Sequence, residues 1–141
     1  MFKKIFSKEK KEDQNTKNIL IASLLIHAAK IDENYSESEK KIIKTAISDI
    51  FSLNKDEAEK IIQLAEKKEM ESNQIVEFTR EIKKYPIEFR LKIIEIIWKI
   101  IYSDGTNDIY ESNLMRRICG LLYISDRDSG IIKTKVQKLN K

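Results

Sequence analysis

Two stretches of the chain are almost entirely apolar, and each is followed by an aspartate and then, seven positions later, by a glutamate. The stretches cover residues 19–29 and 91–102, and the acidic pairs are Asp32 with Glu39 and Asp104 with Glu111. A helix that is apolar on nearly all sides belongs in the centre of a fold. Because a shift of 72 residues aligns both features, the pattern predicts two related helical hairpins, each turning through an acidic loop.

The few polar residues inside the apolar stretches also fall on equivalent positions. Ser23 aligns with Glu95, and His27 aligns with Lys99. Residues four apart lie on one face of a helix, so both helices are predicted to carry a narrow polar stripe. We interpret His27 as a half-exposed member of this stripe, because a single histidine whose repeat counterpart is a lysine is a weak ligand candidate.

The scarcity of turn residues indicates the fold class. Three glycines and one proline in 141 residues leave little of the turn chemistry that a sheet protein requires. We therefore expect an all-α domain of about seven helices, with two pseudo-repeated helical hairpins around the two central apolar helices. The apolar spacing predicts helices over residues 16–31, 36–51, 54–71, 72–85, 86–102, 108–122 and 127–139.

Capping residues mark several of the predicted helix starts. The pairs with capping spacing are Ser36 with Glu39, Asn54 with Glu57, Asp108 with Glu111, and Ser125 with Asp128. Pro86 is predicted to lie in the first turn of the fifth helix, where proline is favoured.

The apolar spacing also predicts which side chains are buried. In the second helix, the stripe predicted to face the core is Ile42, Ile43, Ala46, Ile47 and Ile50. Cys119 is interpreted as a packing residue of the sixth helix, because a thiol on an apolar face behaves as a small hydrophobe. The charged run 66–71 is interpreted as a solvated helix end.

The positive charge of the chain is concentrated at its two ends. Residues 1–17 carry a net charge of +3 and residues 131–141 a net charge of +4, which leaves residues 18–130 at −3. We therefore expect no specific nucleic-acid binding. We divide the chain into a flexible basic tail, residues 1–17, and a helical domain, residues 18–141. Phe2, Ile5 and Phe6 give the tail an amphipathic character, so a peripheral membrane contact is an open alternative to disorder.

The expected compartment is the cytoplasm. One cysteine excludes an internal disulfide and fits a reducing environment. The N-terminus lacks the apolar core of a secretory signal, and neither apolar helix is long enough to span a bilayer. Association with the inner face of the membrane stays open.

The acidic loops have a structural explanation that is incomplete. Asp108 has the position of a helix cap, and Glu39 and Glu111 complete capping boxes. Asp32 and Asp104 are different, because they lie at the C-terminal ends of helices, where exposed carbonyl groups disfavour a negative charge. The next helix N-terminus, a basic side chain or a cation would offset that charge.

A cation fits the spacing of the oxygen-bearing side chains. Counting each aspartate as position one, they recur at positions one, three, five and eight, and the first three resemble the opening of an EF-hand loop. The likeness ends there, since position six is not glycine and position twelve is not glutamate. Hard oxygen ligands favour calcium or magnesium. The candidate metal ligands are Asp32, Glu39, Asp104, Asp108 and Glu111, with purely structural capping as the alternative.

Two segments also carry a resemblance to a known family. They are residues 24–32 (LLIHAAKID) with Glu39, and residues 100–105 (IIYSDG) with Glu111. Together they resemble the TerB domain of tellurite-resistance proteins, a fold also found at the N-terminus of DjlA-type co-chaperones. Asp104-Gly105 matches the family turn, whereas Asp32-Glu33 lacks the glycine and Ser103 replaces an alanine.

The resemblance covers about residues 18–136 and carries its own implications. It implies a seven-helix all-α domain, a divalent-cation site at Asp32, Glu39, Asp104 and Glu111, and a place in bacterial stress or membrane-associated complexes. We accordingly expect a non-enzymatic binding module that acts through protein or membrane-associated partners. The alternatives are a metal-assisted hydrolase with converging carboxylates and a weak nucleic-acid binder that uses the basic ends. The sequence names neither the partner nor the oligomeric state.

Overall fold

The computed structural model describes the backbone of residues 2–30, 35–72, 74–103 and 109–139, and the side chains of these residues from 14 onward except 109–112. The described residues form seven α-helices and no strand, which confirms the predicted all-α fold. The helices are α1 (Phe2–Ala29), α2 (Glu37–Phe51), α3 (Lys55–Glu71), α4 (Ile75–Ile82), α5 (Ile87–Tyr102), α6 (Ile109–Leu121) and α7 (Asp126–Leu139).

The first helix is longer than predicted. α1 begins at Phe2, so the predicted start near residue 16 is wrong. Residues 2–17 are rich in lysine and glutamate and contain no glycine or proline, so nothing in them ends a helix that the buried part has nucleated. The division of the chain at residue 17 stays a prediction. The membrane contact of Phe2, Ile5 and Phe6 also stays a prediction, because their side chains lie outside the described residues.

Side-chain caps start the helices α3 and α7 as predicted. Asn54 Oδ1 accepts a hydrogen bond of 2.8 Å from the backbone N–H of Glu57, and Ser125 Oγ accepts one of 3.1 Å from Asp128. Pro86 lies at the N-cap of α5, one position before the predicted first turn. A missing N–H is tolerated at either position, because the first N–H groups of a helix have no intrahelical acceptor.

Helix α4 is shorter than the predicted range 72–85. Ser72 ends α3 instead of starting α4, since its backbone N–H donates to the carbonyl oxygen of Lys68 at 3.1 Å. At the other end, Tyr85 precedes Pro86, and a residue before proline is disfavoured in helical backbone. α4 therefore covers eight residues, with Phe78 and Ile82 fully buried.

The core is built around α1 and α5. α1 packs against α2, α3, α4 and α5, while α5 also packs against α2 and α7. Fully buried residues of these two helices include Ile21, Leu24, Leu25, Ile26, Ile93, Ile94 and Ile97. Both apolar helices are thus central, as predicted. The pseudo-repeat that relates them stays a prediction.

The predicted packing face of α6 is buried. Leu114, Met115, Ile118, Cys119 and Leu122 are each at most 7% exposed. Burial raises the pKa of the Cys119 thiol above its usual value, which keeps the thiol protonated and inert at neutral pH. Cys119 therefore packs as a small hydrophobe, as the sequence indicates.

The apolar stripe of α2 is only partly buried. Ile43 and Ile47 are fully buried, whereas Ile42, Ala46 and Ile50 are half-buried. All five therefore face the core as predicted, because the three half-buried side chains also pack against it, although it does not cover them completely. A stripe of five residues on one helix is wider than the contact it makes with its neighbours, so one edge stays at the surface. We refer to Ile42, Ala46 and Ile50 as the α2 apolar strip.

Candidate functional site

The predicted metal ligands surround two connections between helices. α1 ends shortly before Asp32 and α5 ends shortly before Asp104, so both aspartates follow the C-terminal end of a central helix, as predicted. Four of the five predicted ligands have side chains outside the described residues, namely Asp32, Asp104, Asp108 and Glu111. Their assignment as ligands, and the capping role of Asp108 and Glu111, therefore stay predictions. Glu39 is the predicted ligand whose side chain the structure describes.

Glu39 completes the capping box at the start of α2. Its Oε1 accepts hydrogen bonds from the backbone N–H of Ser36 at 3.1 Å and from Ser36 Oγ at 3.0 Å. In return, Ser36 Oγ accepts a bond of 3.2 Å from the backbone N–H of Glu39. Glu39 is only 3% exposed. The structural role that the sequence predicts for this carboxylate is therefore present.

Replacing Ser36 with alanine is expected to lower the free energy of unfolding by about 1 kcal/mol, because the first-turn N–H groups of α2 lose their side-chain acceptor. Urea denaturation followed by circular dichroism measures the change. Ser38→Ala is the matched control, since Ser38 is exposed in the first turn of the same helix and its replacement removes no cap. Equal losses in the two variants would contradict a capping role for Ser36.

A buried carboxylate joins α3 to α1 beside the first acidic connection. Glu69 is 6% exposed. Its Oε2 accepts a hydrogen bond of 2.8 Å from Lys30 Nζ, and its Oε1 lies 3.2 Å from His27 Nδ1. Both partners are on the α1 side, and their side chains are 32% and 19% exposed. We call His27, Lys30 and Glu69 the α1–α3 polar cluster.

The interpretation of residues 66–71 as a solvated helix end is wrong for Glu69 and holds for the other five residues, which are exposed or half-buried. Glu69 is buried because it faces two polar partners that satisfy both of its oxygens, and a buried charge is tolerated under that condition. His27 has the half-buried, polar-stripe position that the sequence predicts. Ser23, one turn earlier, lies with its Oγ 2.7 Å from the carbonyl oxygen of Ile19 and 3.3 Å from that of Ala65 on α3. The polar stripe of α1 therefore faces α3.

Tyr35 lies next to this cluster, directly after the first acidic connection. Its hydroxyl group is buried and makes no hydrogen bond of acceptable geometry with any described residue. Lys40 Nζ and Lys30 Nζ lie 4.9 Å and 5.8 Å from the ring centroid. Burial, followed by the negative charge of Glu66, raises the pKa of Tyr35, so the phenol stays neutral. Two cations thus lie close to the ring, a favourable arrangement for an aromatic face.

The second half of the chain uses a different set of polar contacts between α5 and α7. Glu95, the counterpart of Ser23, lies 3.1 Å from Lys135 Nζ and 3.7 Å from Lys92 Nζ. Partial burial raises the pKa of Glu95, but the hydrogen bond from Lys135 and the charges of three lysines outweigh it and lower the pKa below its usual value. Glu95 therefore remains ionised and ties α5 to α7.

The sequence contains a signal that Glu69 is buried, although residues 66–71 as a whole are interpreted as solvated. The buried face of α3 follows Ala58, Ile61, Ile62 and Ala65, and the helical period places Glu69 next on the same face. An acid at that position implies a polar partner on the helix it packs against. The stripe of α1 supplies that partner at His27.

Several of the described ion pairs tie one helix to another, and others join residues three apart in one segment. Among the residues whose side chains the structure describes, no group of three or more histidine, cysteine, aspartate or glutamate side chains could hold a metal ion. Within the same part of the chain, no helix is both long enough and apolar enough to cross a membrane.

Comparison with known proteins gives one match. A family model described as "Tellurite resistance protein TerB" matches residues 18–134. No curated protein and no solved structure gives a significant match. The matched region includes both acidic connections and extends from the buried part of α1 into α7.

Proposed function

Because the chain belongs to the TerB family of tellurite resistance proteins, we propose that it is a non-enzymatic binding module that holds a divalent cation at its acidic connections and acts in a bacterial stress response through a protein partner. The family is the premise of this proposal. The cation, the stress response and the partner are the parts that experiments test.

One observation carries the cation proposal. α1 ends at Ala29 and α5 at Tyr102, so Asp32 and Asp104 follow the C-terminal ends of the two central helices by three and two residues. A negative charge at this position is unfavourable by a few tenths of a kcal/mol or more. A bound cation would offset the charges of the carboxylates and of the carbonyl groups at once.

The donor chemistry supports calcium or magnesium. The carboxylate, hydroxyl and amide oxygens of the two connections are hard ligands, which both ions prefer. Glu39 is buried and engaged with Ser36, so the first connection offers a carboxylate that already has a structural partner. We therefore propose that the second connection supplies most of the ligands, from Asp104, Asp108 and Glu111.

Isothermal titration calorimetry tests the proposal. We expect calcium or magnesium at millimolar concentration to give heat and to raise the melting temperature, because a ligand that binds the folded state stabilises it. The double variant Asp104→Asn with Glu111→Gln is expected to lose both effects. It removes two negative charges and changes the volume of the side chains little.

The matched control is Asp126→Asn with Asp128→Asn. These exposed residues lie at the start of α7, outside both acidic connections, and their replacement removes the same amount of charge. The control should bind the cation like the wild type. If the wild type shows neither heat nor a rise in melting temperature at millimolar calcium or magnesium, the acidic residues have only a capping role.

A further inference from the structure

A groove lies between α2 and α5. Its volume is 330 Å³, and its floor is apolar, formed by the α2 apolar strip and by Ile96 of α5. A second cavity of 250 Å³ shares Ile42 and Lys99 with the first and reaches Val136 and Leu139 near the end of α7. We call the two joined cavities the α2–α5 groove. Leu139 is 68% exposed, so the groove continues into an apolar surface.

The rim of the α2–α5 groove is cationic. Lys41, Lys92 and Lys99 line it, and Asp49 is the one acid among the described residues of its lining. Lys92 is paired with Glu95 at 3.7 Å. Within the part of the chain that the structure describes, Lys41 and Lys99 form no ion pair. Glu95 compensates part of the charge of Lys92 and Lys99, so the lining keeps three lysines against one acid, Asp49.

The spacing of these residues matches a helical ligand. Ile42, Ala46 and Ile50 follow the pattern i, i+4, i+8 and extend over about 12 Å of α2, roughly two helical turns. Helices that dock in apolar grooves place their anchors at i, i+4 and i+7. Lys92 and Lys99 lie seven residues apart on α5, about 10 Å along its axis. An opposing helix could therefore meet both with carboxylates that lie about two turns apart.

The distribution of charge favours a peptide over a small amphiphile. A fatty acid carries one carboxylate and would leave most of the lysines without a partner. Ligand sites for such molecules also enclose most of the ligand, whereas this groove reaches the exposed Leu139 at the protein surface. A segment with several carboxylates and one apolar face uses both the rim and the floor.

We propose that the α2–α5 groove docks an acidic amphipathic helix of a partner protein. The apolar face of that helix packs on the α2 apolar strip, and its carboxylates pair with Lys41, Lys92 and Lys99. The inference rests on the proposed function, because it names the partner class of the same binding module. The groove and the acidic connections involve different residues, so the two proposals are tested by different variants.

Fluorescence anisotropy with a designed probe tests the inference. The probe is a fluorescein-labelled helical peptide of about 16 residues, with leucines at i, i+4 and i+7 and glutamates on its other face. We expect the wild-type protein to bind it. Lys41→Glu with Lys99→Glu is expected to weaken binding at least about tenfold, because two attractions become repulsions. Ala46→Gln should weaken binding as well, because it places a polar side chain in the apolar floor.

Two controls separate docking from general attraction between opposite charges. Lys60→Glu with Lys67→Glu makes the same change in net charge on the exposed side of α3, outside the groove, and should bind the probe within about twofold of the wild type. A second peptide with lysines in place of the glutamates should not bind. Circular dichroism melts show that each variant is folded.

Several results would overturn the inference. The docking site would be absent if the acidic peptide did not bind at about 100 μM, or if the α3 control weakened binding as much as the groove variant. A different occupant would be indicated if the protein bound dodecanoate but not the peptide, or if it formed a dimer in analytical ultracentrifugation that the groove variant abolished. Binding of dodecanoate would assign the groove to a fatty acid, and the dimer would assign it to a second copy of this chain. Cation calorimetry on Lys41→Glu with Lys99→Glu keeps this test separate from the proposed function, since that variant should bind calcium or magnesium as the wild type does.

Discussion

Replacing Trp98 with alanine is expected to lower the free energy of unfolding by about 3–5 kcal/mol, as for other buried large side chains. Trp98 is 4% exposed in the centre of α5. Its ring stacks on Tyr102 with centroids 5.8 Å apart, and Lys133 Nζ of α7 lies 5.3 Å from the ring centroid. The alanine variant leaves a cavity where α5 meets α7. Urea denaturation followed by far-ultraviolet circular dichroism measures the loss, because the variant has no tryptophan to report by fluorescence.

A second variant separates the polar contribution of Trp98 from its packing. The indole Nε1–H donates a hydrogen bond of 3.2 Å to Ser129 Oγ on α7, and Ser129 is itself only 7% exposed. Trp98→Phe keeps an aromatic ring but leaves Ser129 without this donor, so a loss of about 1–2 kcal/mol is expected. Tyr123→Ala is the control, since Tyr123 is 71% exposed. A loss below about 1 kcal/mol for Trp98→Ala would contradict the view that Trp98 anchors α7 to the core.

The sequence predicts the helices well wherever a cap and an apolar period agree. α2, α3 and α7 begin next to Ser36, Asn54 and Ser125, where capping side chains meet the first residue of a periodic stretch. α1 has no such signal at its start. Most of its polar residues before position 18 are lysine, glutamate or glutamine, which are good helix formers, so the helix extends to Phe2.

Two helix ends depend on residues in left-handed backbone, although the apolar period predicts both of these ends to within one residue. Glycine usually occupies that position after a helix, and this chain has three glycines. Ser52 after α2 and Tyr123 after α6 take the left-handed conformation instead, with φ angles of 53° and 57°. A search for glycine would find neither end, and the apolar period gives only an approximate one.

Burial was predictable in the central helices and less so at the edges. A stretch that is apolar on all sides, such as that of α5, is buried whichever way it turns. The burial of a one-sided apolar stripe is harder to predict, because it depends on how much of the stripe a neighbouring helix covers. The α2 apolar strip shows this, since Ile43 is fully buried while Ile42 beside it is half-buried and lines a groove. The boundary between buried and half-buried residues of α2 depends on the position of α5, and the local sequence does not give that position.

Of the candidate site, the sequence located the acidic connections and missed the cluster beside them. Both connections were found because a spacing recurs at a fixed separation, which is a property of sequence alone. In the α1–α3 polar cluster, Glu69 contacts Lys30 and His27, which precede it in the chain by 39 and 42 positions. Such contacts follow from which helices pack together, and a charged run on one helix does not show which of its members faces that neighbour.

Replacing Glu69 with alanine is expected to lower the free energy of unfolding by about 2–3 kcal/mol. Removing one member of a buried charged group costs about 3–5 kcal/mol when the other members are fully buried. Here Lys30 and His27 are 32% and 19% exposed, so water compensates them in part and the loss is smaller. Thermal and urea denaturation at neutral pH measure the change.

Glu71→Ala is the matched control for Glu69→Ala. Glu71 lies on the same helix two residues later and is exposed, so its loss should change stability by less than about 0.5 kcal/mol. A double-mutant cycle with Lys30→Met then isolates the pair, and a coupling energy of about 1–2 kcal/mol is expected for a contact of 2.8 Å at a half-buried site. If Glu69→Ala and Glu71→Ala have the same small effect, and the coupling is zero, Glu69 does not tie α3 to α1. Apolar packing of Ala58, Ile61 and Ala65 against α1 would then hold the two helices together alone.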